Sequence, residues 1–143
     1  MNTIAKGGII DKKKEKELSQ SAIEKYRIKT HSADKVVMEL SGGNQQKVIL
    51  GRWLLADLKV LILDEPTKGI DVGAKAEIYQ MVCDLAKAGL GIIFISSELP
   101  EVLNVCDKVI VMKEGSITGR LGKNELSEEL ILRLAMRDAD CFA

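Results

Sequence analysis

The sequence predicts a wound α/β domain, and three features carry that prediction. Short apolar, β-prone runs at residues 59–64 and 91–96 alternate with longer stretches of helical apolar periodicity. Strands separated by helices pair in parallel, because a helical crossover returns the chain to the same end of the sheet. The turn Lys113-Glu114-Gly115-Ser116 lies between two further β-prone runs, 108–112 and 117–121, which predicts an appended antiparallel hairpin.

Taken in order, residues 11–27 are charged, with Leu18, Ala22, Ile23 and Tyr26 at helical spacing and Asp11 placed as N-cap. A polar connection covers 28–34. Ser41-Gly42-Gly43 then opens a helical run over 44–57 with apolar positions at Val48, Ile49, Trp53 and Leu54, Trp53 being expected to pack behind the helix. Residues 59–64 read as a buried strand that stops at Glu65-Pro66. A helix over 74–88 puts Ile78, Val82, Leu85 and Ala86 on one face, and Gly89 is suited to a left-handed stop. A second buried strand at 91–96, a short helix at 99–105, the hairpin and a last helix at 127–137 follow, with no internal repeat or low-complexity stretch.

At 143 residues the chain has the length of one ordinary domain. Apolar residues at 46% and charged residues at 29% give a soluble globular balance, and aromatics at 3% leave a core of Leu, Ile, Val and Ala. Acidic and basic residues number 21 each, so no global field favours nucleic acid or an anionic membrane, and Lys12, Lys13 and Lys14 read as a solvated helix face. Cys83, Cys106 and Cys141 are widely spaced beside a single histidine, His31, which suggests neither a zinc site nor a disulfide framework and fits a reducing cytoplasm. The start has no apolar h-region and the longest apolar runs are too short to cross a bilayer, so membrane contact is expected only through a partner.

Two segments carry chemistry. In Leu40-Ser41-Gly42-Gly43-Asn44-Gln45-Gln46-Lys47 a glycine pair at a helix N-terminus lets backbone N–H groups approach a phosphate, and the helix dipole favours its charge. A plain Ser N-cap followed by flexible glycines explains that segment alone equally well. Leu61-Ile62-Leu63-Asp64-Glu65-Pro66-Thr67 adds two carboxylates at the end of a buried strand, where wound α/β folds place their ligand sites. In a phosphoryl-transfer site Asp64 would hold Mg²⁺ through water and Glu65 would polarise the attacking water. The pair of motifs makes a simple polar turn a poor account of either.

Together these segments resemble the signature and Walker B motifs of ABC ATPases, followed by a D-loop at Gly69-Ile70-Asp71-Val72-Gly73, and the resemblance extends over about residues 7–137. Asn44 in place of glutamine, Gln45-Gln46-Lys47, Asp71-Val72-Gly73-Ala74-Lys75 and Ser96-Ser97-Glu98-Leu99-Pro100-Glu101 are similar to the second cassette of tandem ATPase subunits of ribose, galactose and xylose-type importers. The resemblance implies a partial P-loop NTPase fold, three-layered, with a parallel sheet that lacks the Walker A strand. It implies ATP and Mg²⁺ as cofactors, with Asp64 at the metal, Glu65 and Ser97 in the catalytic position, and Asp71 in the D-loop. Ser41, Gly42, Gly43 and Asn44 would face nucleotide held by another cassette. It also implies a membrane permease as partner, a sugar-binding protein indirectly, no nucleic acid, and a place on the inner face of the cell membrane.

Residues 1–40 are expected to be the remnant of a helical subdomain that docks the permease, 41–138 the C-terminal part of the nucleotide-binding domain, and 139–143 a tail of no assigned role. Ser97 stands where most ABC ATPases carry a switch histidine, so it offers a hydrogen bond but no positive charge. No G-x-x-x-x-G-K-[ST] occurs, since a P-loop ending at Gly122-Lys123 would need glycine and serine or threonine where Ile117 and Asn124 stand. The chain alone is therefore expected to be an inactive, N-terminally truncated stub with a hole in mid-sheet between the strands at 91–96 and 108–112. A fragment of a non-transport ABC ATPase and a non-catalytic stub that binds intact ABC subunits are the competing functions.

Overall fold

The computed structural model of the chain describes residues 5–6 and 9–136. The expected tail, with Cys141 and the last residue of the final helix, lies outside them. Two-residue strands β1 (Ala5–Lys6) and β2 (Ile9–Ile10) pair antiparallel ahead of α1 (Lys12–Lys25). Asp11 caps α1 as expected, its carboxylate accepting from the N–H groups of Lys13 and Lys14 at 3.1 and 3.2 Å. A 3-10 turn (Val37–Glu39) leads to α2 (Gly42–Leu54), then β3 (Val60–Asp64), α3 (Val72–Lys87), β4 (Gly91–Ile95) and α4 (Leu99–Val105). Strands β5 (Lys108–Lys113) and β6 (Ser116–Gly122), a 3-10 turn (Lys123–Glu125) and α5 (Glu128–Met136) close the described chain.

β3 and β4 form a parallel pair: at one end Gly91 N–H donates to the Lys59 carbonyl at 3.0 Å, and at the other Glu65 N–H donates to the Ile95 carbonyl at 2.9 Å. β5 and β6 form an antiparallel hairpin with a bulge between Val111 and Met112. Its two turn residues, Glu114 and Gly115, have φ of 50° and 80°, the left-handed pair that matches the twist of tight hairpins. Among the described residues β4 pairs with β3 alone and β5 with β6 alone.

The described residues divide into two compact units, one of residues 5–6 and 9–61 with 66–92 and the other of residues 62–65 with 93–136. In the first, Tyr26, Ile28, Leu50, Ile78 and Val82 are buried, and α2 packs against α3. In the second, Val109, Val111, Leu121 and Ile131 form the core, with Leu99 and Leu134 packed against it.

Burial departs from the expected pattern at both parallel strands and at Trp53: β4, expected to be buried, has no buried residue and leaves Ile93 and Ile95 50% and 46% exposed. β3 buries Leu61 and Leu63 but leaves Val60 and Ile62 outward, Ile62 at 62% exposure, so the described residues cover one face of that strand rather than both. Trp53 is 53% exposed, because the buried stripe of α2 runs through Gly43, Lys47, Leu50 and Gly51 and Trp53 falls beside it.

Candidate functional site

In the first unit, Ser41 is the N-cap of α2 in an extended conformation, and its side chain makes no bond to the helix amides. The first intrahelical bond runs from Gln45 N–H to the Ser41 carbonyl at 2.9 Å, so the N–H groups of Gly42, Gly43 and Asn44 lie ahead of the ladder. The Ser41 hydroxyl oxygen instead accepts from Asn44 Nδ2 at 2.8 Å, while Asn44 Oδ1 accepts from Lys29 N–H at 2.8 Å. A hydroxyl oxygen that accepts from Asn44 leaves its own proton available to donate elsewhere, beside three helix-terminal amides. Gln45 braces this entrance by donating to the Leu40 carbonyl at 2.8 Å.

The glycines divide their tasks. Gly43 is buried, and a Cβ there would overlap that of Ala74 on α3, so its lack of a side chain serves helix packing. Gly42 is exposed, and a Cβ there would come 3.2 Å from Ile70 Cγ2. Asp71 caps α3, accepting from Ala74 N–H at 2.9 Å.

In the second unit, β3 ends at an exposed Asp64, and Glu65 follows with φ of 46°, a left-handed conformation that costs a non-glycine residue about 1 kcal/mol. Glu65 Oε1 accepts from the backbone N–H of Ser97 at 2.9 Å. The bond thus uses the main chain of Ser97. Ser96 Oγ donates to Glu101 Oε2 at 2.7 Å and accepts from Glu98 N–H at 3.0 Å, which ties the loop after β4 to α4. Among the described residues no group of three or more His, Cys, Asp or Glu side chains is placed to hold a metal ion, so Asp64 offers a single carboxylate.

Sequence reasoning missed the charged cluster behind Ser41. Lys47 is 3% exposed and pairs with Glu77 of α3 while donating to the Arg27 carbonyl at 3.1 Å, and Lys29 Nζ meets the other Glu77 oxygen at 3.0 Å. These two ammonium groups, chiefly Lys47, hold the Glu77 carboxyl down at about 2 against an ordinary 4.5. The available signal was Lys47 itself, a charge midway along the apolar stripe between Gly43 and Leu50, which demands a counter-charge.

Comparison with known proteins bears on both segments. The family model for "ABC transporter" matches residues 2–68. The arabinose import ATP-binding protein AraG of Vibrio parahaemolyticus serotype O3:K6 is 52% identical over 91% of this chain and 26% of its own length. A putative ribose/galactose/methyl galactoside import ATP-binding protein of Rhizobium etli is 51% identical over 94% of this chain and 26% of its own. Among solved structures, the ADP conformation of MJ1267, an ATP-binding cassette of an ABC transporter, matches with a TM-score of 0.73 and 28% identity over 96% of this chain and 54% of that one. The fold is that of part of an ABC ATPase cassette. The chain belongs to the ABC transporter ATP-binding domains, and sugar-importer ATPases are its relatives at about 50% identity over most of its length. It spans about a quarter of the length of those curated relatives.

Proposed function

We propose that this chain serves ATP-driven import of a monosaccharide, as the signature-bearing part of a cassette that closes over nucleotide held by another cassette. The single observation that supports this most is the arrangement at Ser41: a hydroxyl that accepts from Asn44 and keeps its proton available, set among helix-terminal amides that its side chain does not cap. That entrance suits an anionic oxygen, so its chemistry fits the phosphates of a partner's nucleotide. MgATP, when bound, supplies the phosphoryl group whose hydrolysis energises transport.

The remaining roles follow the resemblance. Asp64 would take part in Mg²⁺ binding through water, Glu65 would orient the attacking water, and Asp71 would act in the D-loop in addition to capping α3. Ser97 would place Glu65 through its N–H, without supplying the charge of a histidine. Partners are a P-loop-bearing cassette, a membrane permease and, through it, a sugar-binding protein. Among the described residues no helix is long and apolar enough to cross a membrane, which accords with a peripheral place on the cytoplasmic side of the permease.

The purified chain is expected to show no ATPase activity above background, since its residues include no P-loop lysine or amide cradle for β and γ phosphates. It is expected to associate with a P-loop-bearing cassette of an arabinose importer only when MgATP is present, and Ser41→Arg should abolish that association. Sedimentation with and without MgATP measures it. Equal association of both variants regardless of nucleotide would overturn the proposal, and MgATP-dependent turnover by the chain alone, abolished by Glu65→Gln, would overturn the assignment of an inactive stub.

A further inference from the structure

The Ser41 hydroxyl owes its direction to Asn44, and the orientation of Asn44 in turn depends on groups farther back. Lys29 N–H points at the Asn44 amide from one side and Ser41 Oγ from the other, both at 2.8 Å. An N–H can only donate, so Asn44 must present Oδ1 to Lys29 and Nδ2 to Ser41; the flipped amide would set donor against donor. The position of the Lys29 main chain therefore decides whether Ser41 accepts or donates inward.

That main chain is pinned by one carboxylate. Glu77 Oε1 takes Lys29 Nζ at 3.0 Å, and Glu77 Oε2 takes Lys47 Nζ, which also donates to the Arg27 carbonyl. Arg27 has φ of 51°, so the reversal that brings Lys29 alongside α2 is made at a strained residue whose carbonyl the buried lysine holds. One side chain on α3 thus grips residues 27–29 from both ends.

We propose that Glu77 is a positioning residue for the signature serine, acting through Lys29, Lys47 and Asn44 to keep the Ser41 hydroxyl proton available to donate. The consequence for phosphate rests on the role proposed above for Ser41, whereas the positioning itself does not.

The test uses the full chain and NMR. In the wild type the Asn44 side-chain amide protons should exchange slowly with solvent, and the Nδ2 proton accepted by Ser41 Oγ should be shifted from its value in a free amide, as both ends of the group are bonded. Glu77→Gln, which keeps the shape and removes the charge, should move that shift toward the free-amide value and speed solvent exchange several-fold. Lys29→Met, which keeps the backbone N–H and breaks only an exposed ion pair, should do so in part, and remains informative should Glu77→Gln fail to fold. Ile78→Val, which loosens α3 without touching the carboxylate, should lower the melting temperature and leave Asn44 unchanged. Asn44 signals that are unaffected in folded Glu77→Gln and Lys29→Met, or that move as much in Ile78→Val, would overturn the proposal.

Titration with inorganic pyrophosphate separates the two claims. Wild-type shifts at the Ser41, Gly42 and Gly43 amides that weaken several-fold in Glu77→Gln support both. Absence of wild-type shifts alongside a Glu77-dependent Asn44 signal supports positioning and counts against the phosphate role of Ser41.

Discussion

Ser97 donates its backbone N–H to Glu65 Oε1 at 2.9 Å, and Glu65 holds that bond from a left-handed backbone at φ 46°. The carboxylate is therefore aimed by two main-chain features, the turn after β3 and the exit of β4, which the parallel ladder brings together through the Glu65 N–H bond to Ile95. The identity of the Ser97 side chain does not enter this bond.

The left-handed turn sets an unusual order of stabilities. Glu65→Ala loses the bond and keeps the strain, whereas Glu65→Gly loses the bond and relieves the strain. Glycine should therefore be the more stable of the two by about 1 kcal/mol, read from urea melts. Alanine equal to or better than glycine would contradict the turn geometry.

Gly43 and Gly42 should respond differently to the same change. Gly43→Ala must force α2 away from Ala74 and is expected to destabilise by about 1–3 kcal/mol. Gly42→Ala requires only a small shift of the Ile70 side chain and should cost less. Thermal melts of the two variants distinguish packing from a requirement for bare backbone, which would penalise both alike.

Glu77 gives stability a defined pH dependence. Its carboxyl is lowered from 4.5 to about 2 in the folded chain, so the unfolded chain binds more protons between those values and stability rises with pH there. The contribution is complete above about pH 5 and disappears as pH falls toward 2. Glu77 keeps 44% exposure, so its removal in Glu77→Gln should cost about 1–2 kcal/mol at neutral pH, below the value for a fully buried pair. The gap between wild type and variant should close on acidification, and a gap independent of pH from 7 to 3 would contradict the ion-pair assignment.

Strands β4 and β5 each have one paired edge among the described residues, and Ile93, Ile95, Ile110 and Met112 lie outward. Weak hydrogen-exchange protection is expected for the chain alone at 91–96 and 108–112, together with a tendency to associate. Slow exchange throughout both strands in a monomer with a sharp melt would contradict that expectation.

Legibility in the sequence followed the range of the interactions. Asp11 and its helix, the Glu114-Gly115 turn, Gly89 at φ 95° and the Ile78–Val82 face all depend on residues a few positions apart, and the pattern displays them directly. The helix after Ser41 starts at Gly42, two residues before the expected start at Asn44, since its first turn needs no apolar residue. The Lys47–Glu77 pair spans 30 positions and the Ser97–Glu65 bond 32, so each requires the fold before it exists. The side of α2 on which Trp53 falls was likewise decided by Lys47 and two glycines taking the inner stripe. Asn44 was visible as a departure from glutamine, but not that its shorter side chain bridges Ser41 to Lys29.

The central claim, that Ser41 serves a partner's nucleotide while Glu65 serves a weakened site of its own, is tested most directly by sugar uptake. In an arabinose importer whose corresponding cassette segment is replaced by residues 7–136 of this chain, Ser41→Arg puts a bulky cation at the α2 entrance and Glu65→Gln removes only the carboxylate charge at Ser97. Uptake into vesicles should fall much further in Ser41→Arg than in Glu65→Gln, and equal loss in the two variants would contradict the account.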